Sequence, residues 1–298
     1  LIPFSCKGRG FCPSCAGRRM AAIAAHLTDH VLPDQPLRQW VLSLPWSLRI
    51  HLACSPSLTR DVGRAFLRAV FASYKRRARQ AGHLDPRETS SPLSHPTKAH
   101  PGAINFTQRF GSSLALNIHF HALVLDGVYT TDGPDTFPVF HPAPPLTQDE
   151  VQRVRHSIHR RVNRVLKAHG LLPSPGSDPS APTDEHDSLL PFLQAASIQS
   201  RVALGPDSGK PIPKLTDHAA ATPGPQSLPP LTSNEQGYSL HAATRIPAND
   251  RTLRERLCRY ISRPPLAQGR LSLTDEGQVL WKLRSPWRNG TKAFRFDP

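Results

Sequence analysis

Cysteine, methionine, aromatic residues and acidic charge are all scarce in this chain of 298 residues, which carries 5 Cys, 1 Met, 7% aromatics and 22 Asp+Glu against 37 Lys+Arg. Long hydrophobic runs are missing too. No stretch approaches the roughly 20 apolar residues needed to cross a bilayer, which excludes a membrane-spanning helix. Residues 1–30 lack a basic start, an apolar block and a small-residue cleavage site in that order, so nothing there reads as a secretory signal. A cytoplasmic protein with reduced thiols is expected. The few aromatics, with no aromatic-rich RNA-binding signature, argue against an RNA-binding protein.

The shortage of acid leaves a formal net charge of +15. Each phosphate neutralised by Lys or Arg releases condensed counterions, so a polyanion is the expected partner, nucleic acid ahead of an anionic membrane surface. A basic surface that only keeps the protein soluble is the plain alternative. The length allows one large domain or two small ones. The chain opens at Leu1 inside a run that already reads as folded sequence, and its lone methionine is Met20, so a fragment or a product of gene decay is expected.

What cysteine there is clusters. Cys12 and Cys15 form a Cys-Pro-x-Cys knuckle with Cys6 upstream, a spacing that aims thiolates at one tetrahedral zinc ion. Three cysteines leave a four-ligand site one short, the fourth being His26 or a cysteine upstream of Leu1; a redox pair is the other reading. Arg18 and Arg19 beside the knuckle suit phosphate contacts. Cys54 and Cys258 read as ordinary buried cysteines.

Residues 61–82 have apolar residues at helical spacing and a basic last turn, Lys75 to Arg79, which serves either the helix dipole or nucleic acid. Residues 104–110 and 115–129 read as a strand pair joined through Gly111-Ser112-Ser113, with Asp126-Gly127 as a turn near the end. Residues 147–170 form the clearest helix, with Thr147 and Glu150 as a capping box and a basic face that includes Arg155, Arg161 and Arg164. Residues 173–236 hold twelve prolines and read as a flexible insert around one short structured piece, 189–204. A strand at 238–242, a helix from Asn249-Asp250 to about Ile261 stopped by Pro264-Pro265, and strand pattern around a turn at 275–277 complete the chain.

His119 and His121 stand two apart on a strand, so they project to one face and can share a metal ion, while Ile118 and Phe120 pack behind. Paired histidines also occur on half-buried strands with no ligand, so the pair alone leaves both readings open. Tyr260 lies on the later helix among Arg254, Arg256, Arg259 and Arg263. Its spacing from Leu253 and Leu257 also fits plain core, whereas the electropositive setting favours a phenolate attacking a phosphate.

Three separated motifs occur in order: Cys-Lys-Gly-Arg-Gly-Phe-Cys-Pro-Ser-Cys-x-Gly-Arg-Arg-Met, then Gln108-Arg109-Phe110-Gly111 leading to Asn117-Ile118-His119-Phe120-His121, then Arg256-Leu257-Cys258-Arg259-Tyr260-x-x-Arg263-Pro264-Pro265. Together, over nearly the whole chain, they resemble the rolling-circle insertion-sequence transposases of the HUH single-strand endonuclease superfamily. The resemblance implies an α+β fold, an antiparallel-sheet nuclease core with flanking helices behind a small zinc-ribbon-like region. It divides the chain into a partial zinc-binding region (1–30), the first part of the nuclease domain (31–172), the insert (173–236) and the rest of the domain (237–298).

It further implies His119 and His121 as ligands for Mg or Mn, Tyr260 as the nucleophile, zinc on Cys6, Cys12 and Cys15, and single-stranded DNA as partner, with Arg18, Arg19, Arg109, Arg256, Arg259 and Arg263 on the DNA. Gln108 and Asp126 are candidates for a third metal ligand. Two-tyrosine members place a second tyrosine four residues before the last; Arg256 stands there, so the chain resembles the single-tyrosine branch. The rival reading is a zinc-dependent DNA-binding remnant without catalysis.

Overall fold

The computed structural model describes residues 12–84, 98–131, 137–172, 189–212, 214–216, 229–266, 269–287 and 289–297. Cys6 lies outside them, as does much of the proline-rich insert.

Helix α1, Pro13–His26, begins at Cys12 with Pro13 at the first helical position, where a missing N–H costs nothing. A π-helical turn, Leu27–Val31, leads to β1, Leu37–Ser43. Helix α2, Arg49–Cys54, precedes α3, Pro56–Gln80, which starts earlier than its apolar periodicity indicates because the Ser55 hydroxyl accepts the Leu58 N–H at 3.2 Å. Strands β2 (Lys98–His100), β3 (Ala103–Phe110), β4 (Leu116–Leu125), β5 (Gly127–Thr131) and β6 (Val139–Pro142) lead to α4, Gln148–Ala168. Then come α5 (Leu189–Gln199), β7 (Lys214–Thr216), β8 (Thr232–Glu235), β9 (Tyr238–His241), β10 (Arg245–Ile246) and α6 (Arg251–Ile261), with β11 (Leu271–Leu273), β12 (Val279–Lys282) and β13 (Thr291–Phe296) last.

The main sheet is antiparallel, in the order β3-β4-β1-β9-β8, with β10 also paired to β1. Two smaller sheets run β2-β5-β6 and β11-β12-β13-β7. This is the expected α+β architecture, an antiparallel core with flanking helices. Strand β4 sorts its residues by parity. Ile118, Phe120, Ala122 and Val124 enter the larger core with residues of α3 and α4, whereas Leu123 and Leu125 join Ala24, Leu27, Leu257 and Ile261 under α1 and α6. Truncating a fully buried ring such as Phe120 costs about 3–5 kcal/mol.

Several expectations change in three dimensions. Asp126-Gly127 is not a terminal turn but the point where the chain leaves the main sheet for the β2-β5-β6 sheet. Asp126 is buried there, bonded to Arg38, Arg245 and the Tyr74 hydroxyl. The capping box is half made: Thr147 accepts the Glu150 N–H at 3.3 Å, but the Glu150 carboxylate turns to Ser73 and Arg76 of α3. Arg155 is buried against Ser233 and Glu235 and so does not belong to a solvent-facing basic stripe. Arg77 likewise turns inward, to the Pro144 carbonyl and over the Tyr74 ring. Strand β8 lies inside the stretch that reads as flexible insert, and Cys54 is exposed, donating to Gln194 at 2.6 Å, whereas Cys258 is buried as expected. Among the described residues no helix is long and apolar enough to cross a membrane.

Candidate active site

His119 and His121 project from the middle of the main sheet towards α6, the face away from α3. Both are buried, with ring centroids 5.0 Å apart. The His119 Nδ1 lies 2.8 Å from the Asn117 carbonyl, so Nδ1 carries the proton it donates there and Nε2 keeps its lone pair. His121 Nδ1 lies 2.9 Å from Nε2 of Gln39, a buried β1 residue on the same sheet face whose amide nitrogen and oxygen exchange places by a 180° flip. With the Gln39 amide oxygen turned to accept from Nδ1–H, His121 too offers Nε2 as a lone pair. That Nε2 is buried with no hydrogen-bond partner among the described residues.

Burial pushes the His121 pKa down to about 3, helped by His119 and Arg263. Burial also lowers that of His119, opposed by the Asn117 carbonyl and reinforced by Arg263 and Arg49. Both imidazoles are therefore neutral near pH 7, as a metal ligand requires.

Tyr260 stands edge-on to His121, ring centroids 5.8 Å apart, and the Arg263 guanidinium lies over the Tyr260 ring at 4.4 Å. The placement follows from local sequence. Asp250 caps α6 by accepting the Leu253 N–H at 2.9 Å, Leu257 and Ile261 anchor the helix beneath the sheet, and Tyr260 falls between them on the open side, 37% exposed. Pro264 then ends the helix so that Arg263 folds back over the ring. Gln108 on β3, cross-strand from His119, donates to the Ile261 carbonyl at 2.9 Å and ties the tyrosine helix to the histidine strand.

Tyr260 and Arg263 line a cleft of about 950 Å³ with Met20 of α1, Gln108, Arg109 and Phe110 of β3, and Arg270 and Arg284 from the C-terminal segment. The Trp281 indole and Arg270 both donate to the Ser112 carbonyl at 2.9 Å, so the turn between β3 and β4 anchors that segment beside the cleft.

The expected site residues thus divide. His119, His121, Tyr260, Arg109 and Arg263 come together. Arg256 and Arg259 are exposed on α6 outside the cleft wall, Arg259 held by Glu255 at 2.8 Å. Arg254, counted with the basic neighbours of Tyr260, is buried and paired with Asp34. Arg18 and Arg19 are exposed on α1, Arg18 3.7 Å from Cys15 Sγ. Asp126 is committed to Arg38 and Arg245, which removes it as a third ligand and leaves Gln108 beside the histidines. Gln39 carries no sequence signal; only the pairing of β1 with β4 brings it to His121.

Two imidazoles, one of them with an orphaned ring nitrogen, and an amide side chain fit a divalent ion whose other positions are filled by oxygen donors. Imidazole favours Mn over Mg, although availability in the cell also decides. Among the described residues no group of three or more His, Cys, Asp or Glu is arranged to hold a metal. Cys12 and Cys15 sit at the N-terminal end of α1. His26 lies eleven residues along that helix from Cys15, about 16 Å at 1.5 Å per residue, so it does not complete their site.

Residues 102–298 match the family described as "Putative transposase", and residues 1–44 match the "Transposase zinc-binding domain". No curated protein and no solved structure gives a match. DNA is accordingly the partner and zinc the metal of the N-terminal region. With the first match spanning well over half its length, the chain belongs to this transposase family, and carries at its front the zinc-binding domain of insertion-sequence transposases.

Proposed function

We propose that the protein cleaves and rejoins single-stranded DNA through Tyr260, in support of rolling-circle transposition. The observation that carries the reading is Tyr260 on the wall of a basic cleft, with Arg263 over its ring and the buried His121 edge-on behind it. The Tyr260 oxygen attacks a backbone phosphorus; an O–P bond forms to the 5′ side and the P–O3′ bond breaks. The phenolic proton is lost and the leaving 3′ oxygen gains one, so the strand ends as a 5′-phosphotyrosine and a free 3′ hydroxyl. Attack of a 3′ hydroxyl on that link reverses the exchange and joins ends.

Arg263 and Arg109 hold the phosphate, and Phe110, 37% exposed on the cleft wall, gives an unstacked base a surface. His119 and His121 are the residues that would hold Mg or Mn, which supplies Lewis-acid polarisation of the scissile phosphate when bound. Cys6, Cys12 and Cys15 are proposed as zinc ligands. Arg256 occupies the place one turn before Tyr260 where two-tyrosine relatives carry a second nucleophile, so Tyr260 acts alone in each protomer.

Covalent capture tests this. The protein is mixed with labelled single-stranded oligonucleotides carrying candidate element ends, with Mg or Mn, and resolved under denaturing conditions. A denaturation-resistant adduct that disappears in Tyr260→Phe and in His119→Ala is the expected result. DNA binding without an adduct under either metal would leave a binding remnant in place of the enzyme.

A further inference from the structure

We infer that a second DNA-binding surface leaves the tyrosine cleft round the open edge of β3, enters the groove between α3 and α4, and grips the sugar–phosphate backbone of the single strand that continues past the cleavage site. It rests on the proposed role of Tyr260 only for where the path begins; that DNA is the partner follows from the family.

Strand β3 is the outer strand of the main sheet, with no neighbour beyond it among the described residues. Its register slips between Gln108 and Phe110, so that two residues of β4 oppose the single Arg109, a bulge of the kind that re-aims a side chain at a sheet edge. Arg109, at this irregularity, lines both the Tyr260 cleft and a shallow groove of about 390 Å³ with Arg60 and Arg64 of α3. Arg64 in turn lines a second groove of about 310 Å³ with Arg68 of α3 and Arg161 and Arg164 of α4. The three surfaces share arginines at each junction and so form one track.

The side chains are those of a phosphate track rather than of a scaffold. Arg60, Arg64 and Arg68 succeed one another at four-residue intervals, about 6 Å each along one face of α3, and all three are exposed. Among the described residues Arg68, Arg109 and Arg164 make no ion pair. Arginines with structural roles look different: Arg38, Arg155 and Arg254 are buried on carboxylates. One carboxylate does lie in the groove. Asp61, its pKa lowered by the His169 hydrogen bond and by Arg60 and Arg64, offsets part of the charge. The α3/α4 groove has no Phe, Tyr or Trp on its walls, so it offers no stacking platform; its grip is on phosphates and blind to sequence.

The test measures binding by fluorescence anisotropy, without added Mg or Mn, using oligothymidylates of increasing length at several salt concentrations. In the wild type, affinity rises and the salt dependence steepens as the oligonucleotide outgrows the cleft. The combined variant Arg64→Gln, Arg68→Gln, Arg161→Gln, Arg164→Gln loses that rise: long oligonucleotides bind about tenfold or more weakly, and the slope of log K against log salt falls by about 3, four contacts at roughly 0.7 each. Asp61→Asn moves both quantities the other way, a gain that misfolding does not produce. Wild-type affinity and slope in a combined variant that melts normally would overturn the track. So would a loss confined to duplex DNA, which assigns the surface to a double helix instead of the continuing strand. Because no cleavage is involved, a missing adduct with the length effect intact removes the tyrosine reading alone.

Discussion

Two buried polar centres lie five residues apart at the end and the middle of one strand, and they are built on opposite plans. Asp126 is saturated: both carboxylate oxygens receive donors, from Arg38, Arg245 and Tyr74, at 2.8 to 3.0 Å. His121 is bonded on one nitrogen only, and its other nitrogen, on Tyr260's side of the sheet, has no hydrogen-bond partner among the described residues. A buried polar group without a partner costs about 1–3 kcal/mol, so folding alone gives no reason to keep one. The saturated centre ties β1, β10 and α3 to the end of β4; the unsaturated one has the form that the proposed metal site requires.

The sharpest way to break the saturated centre is Asp126→Asn. It strips the buried Arg38 of its counter-charge and is expected to destabilise the protein by about 3–5 kcal/mol in denaturant melts. If it instead costs under about 1 kcal/mol, the centre is not what ties β1, β10 and α3 to the end of β4. Acid should act on the same group. Burial alone would raise the Asp126 pKa, but the hydrogen bonds and charge of Arg38, then Arg245 and Tyr74, outweigh it and leave it lowered. A lowered folded value means stabilisation that is complete above the unfolded carboxylate pKa of about 3.9 and is lost as pH falls below it. Stability followed from pH 6 downward should therefore drop through that window in the wild type and more shallowly in Asp126→Asn.

The unsaturated centre should respond in function before stability. Gln39→Leu removes the group that orients His121, and Mn affinity measured by calorimetry is expected to weaken about 10–100-fold, with a change of no more than about 1–3 kcal/mol in stability. Unchanged Mn affinity would detach Gln39 from the site. The smallest effect is expected from Arg256→Gln on the exposed face of α6. If Arg256 meets a phosphate, the salt-dependence slope of DNA binding falls by about 1 with no change in melting; an unaltered slope returns it to a solvated surface.

Much of this was legible in the chain. The periodicity of α4, the Asp250 cap of α6 and the alternation of β4 each stand in the residues that form them, because local spacing decides which side faces the core. The His-x-His face and the tyrosine helix were legible for the same reason. Strand β8 was not, since Thr232-Ser233-Asn234-Glu235 carries no apolar signal and is a strand only because β9 offers it a hydrogen-bonding edge. Gln39 and Asp126 were illegible as centres because their partners are long-range: Gln39 reaches His121 across 82 positions, and Asp126 reaches Arg38 across 88. Arg155 and Arg254 show the converse limit, for composition cannot tell an arginine spent on a buried carboxylate from one left for DNA.

The zinc-binding match ends at residue 44 and so contains all of β1, the strand that keeps β4 and β9 apart. For an insertion-sequence transposase, this ties the accessory to the architecture. A copy that lost the coding for these 44 residues would make no zinc-free but folded competitor for element ends. It would make a chain with a missing central strand, fit for proteolysis, so that decay of the gene silences it cleanly instead of turning it into an inhibitor of its intact siblings.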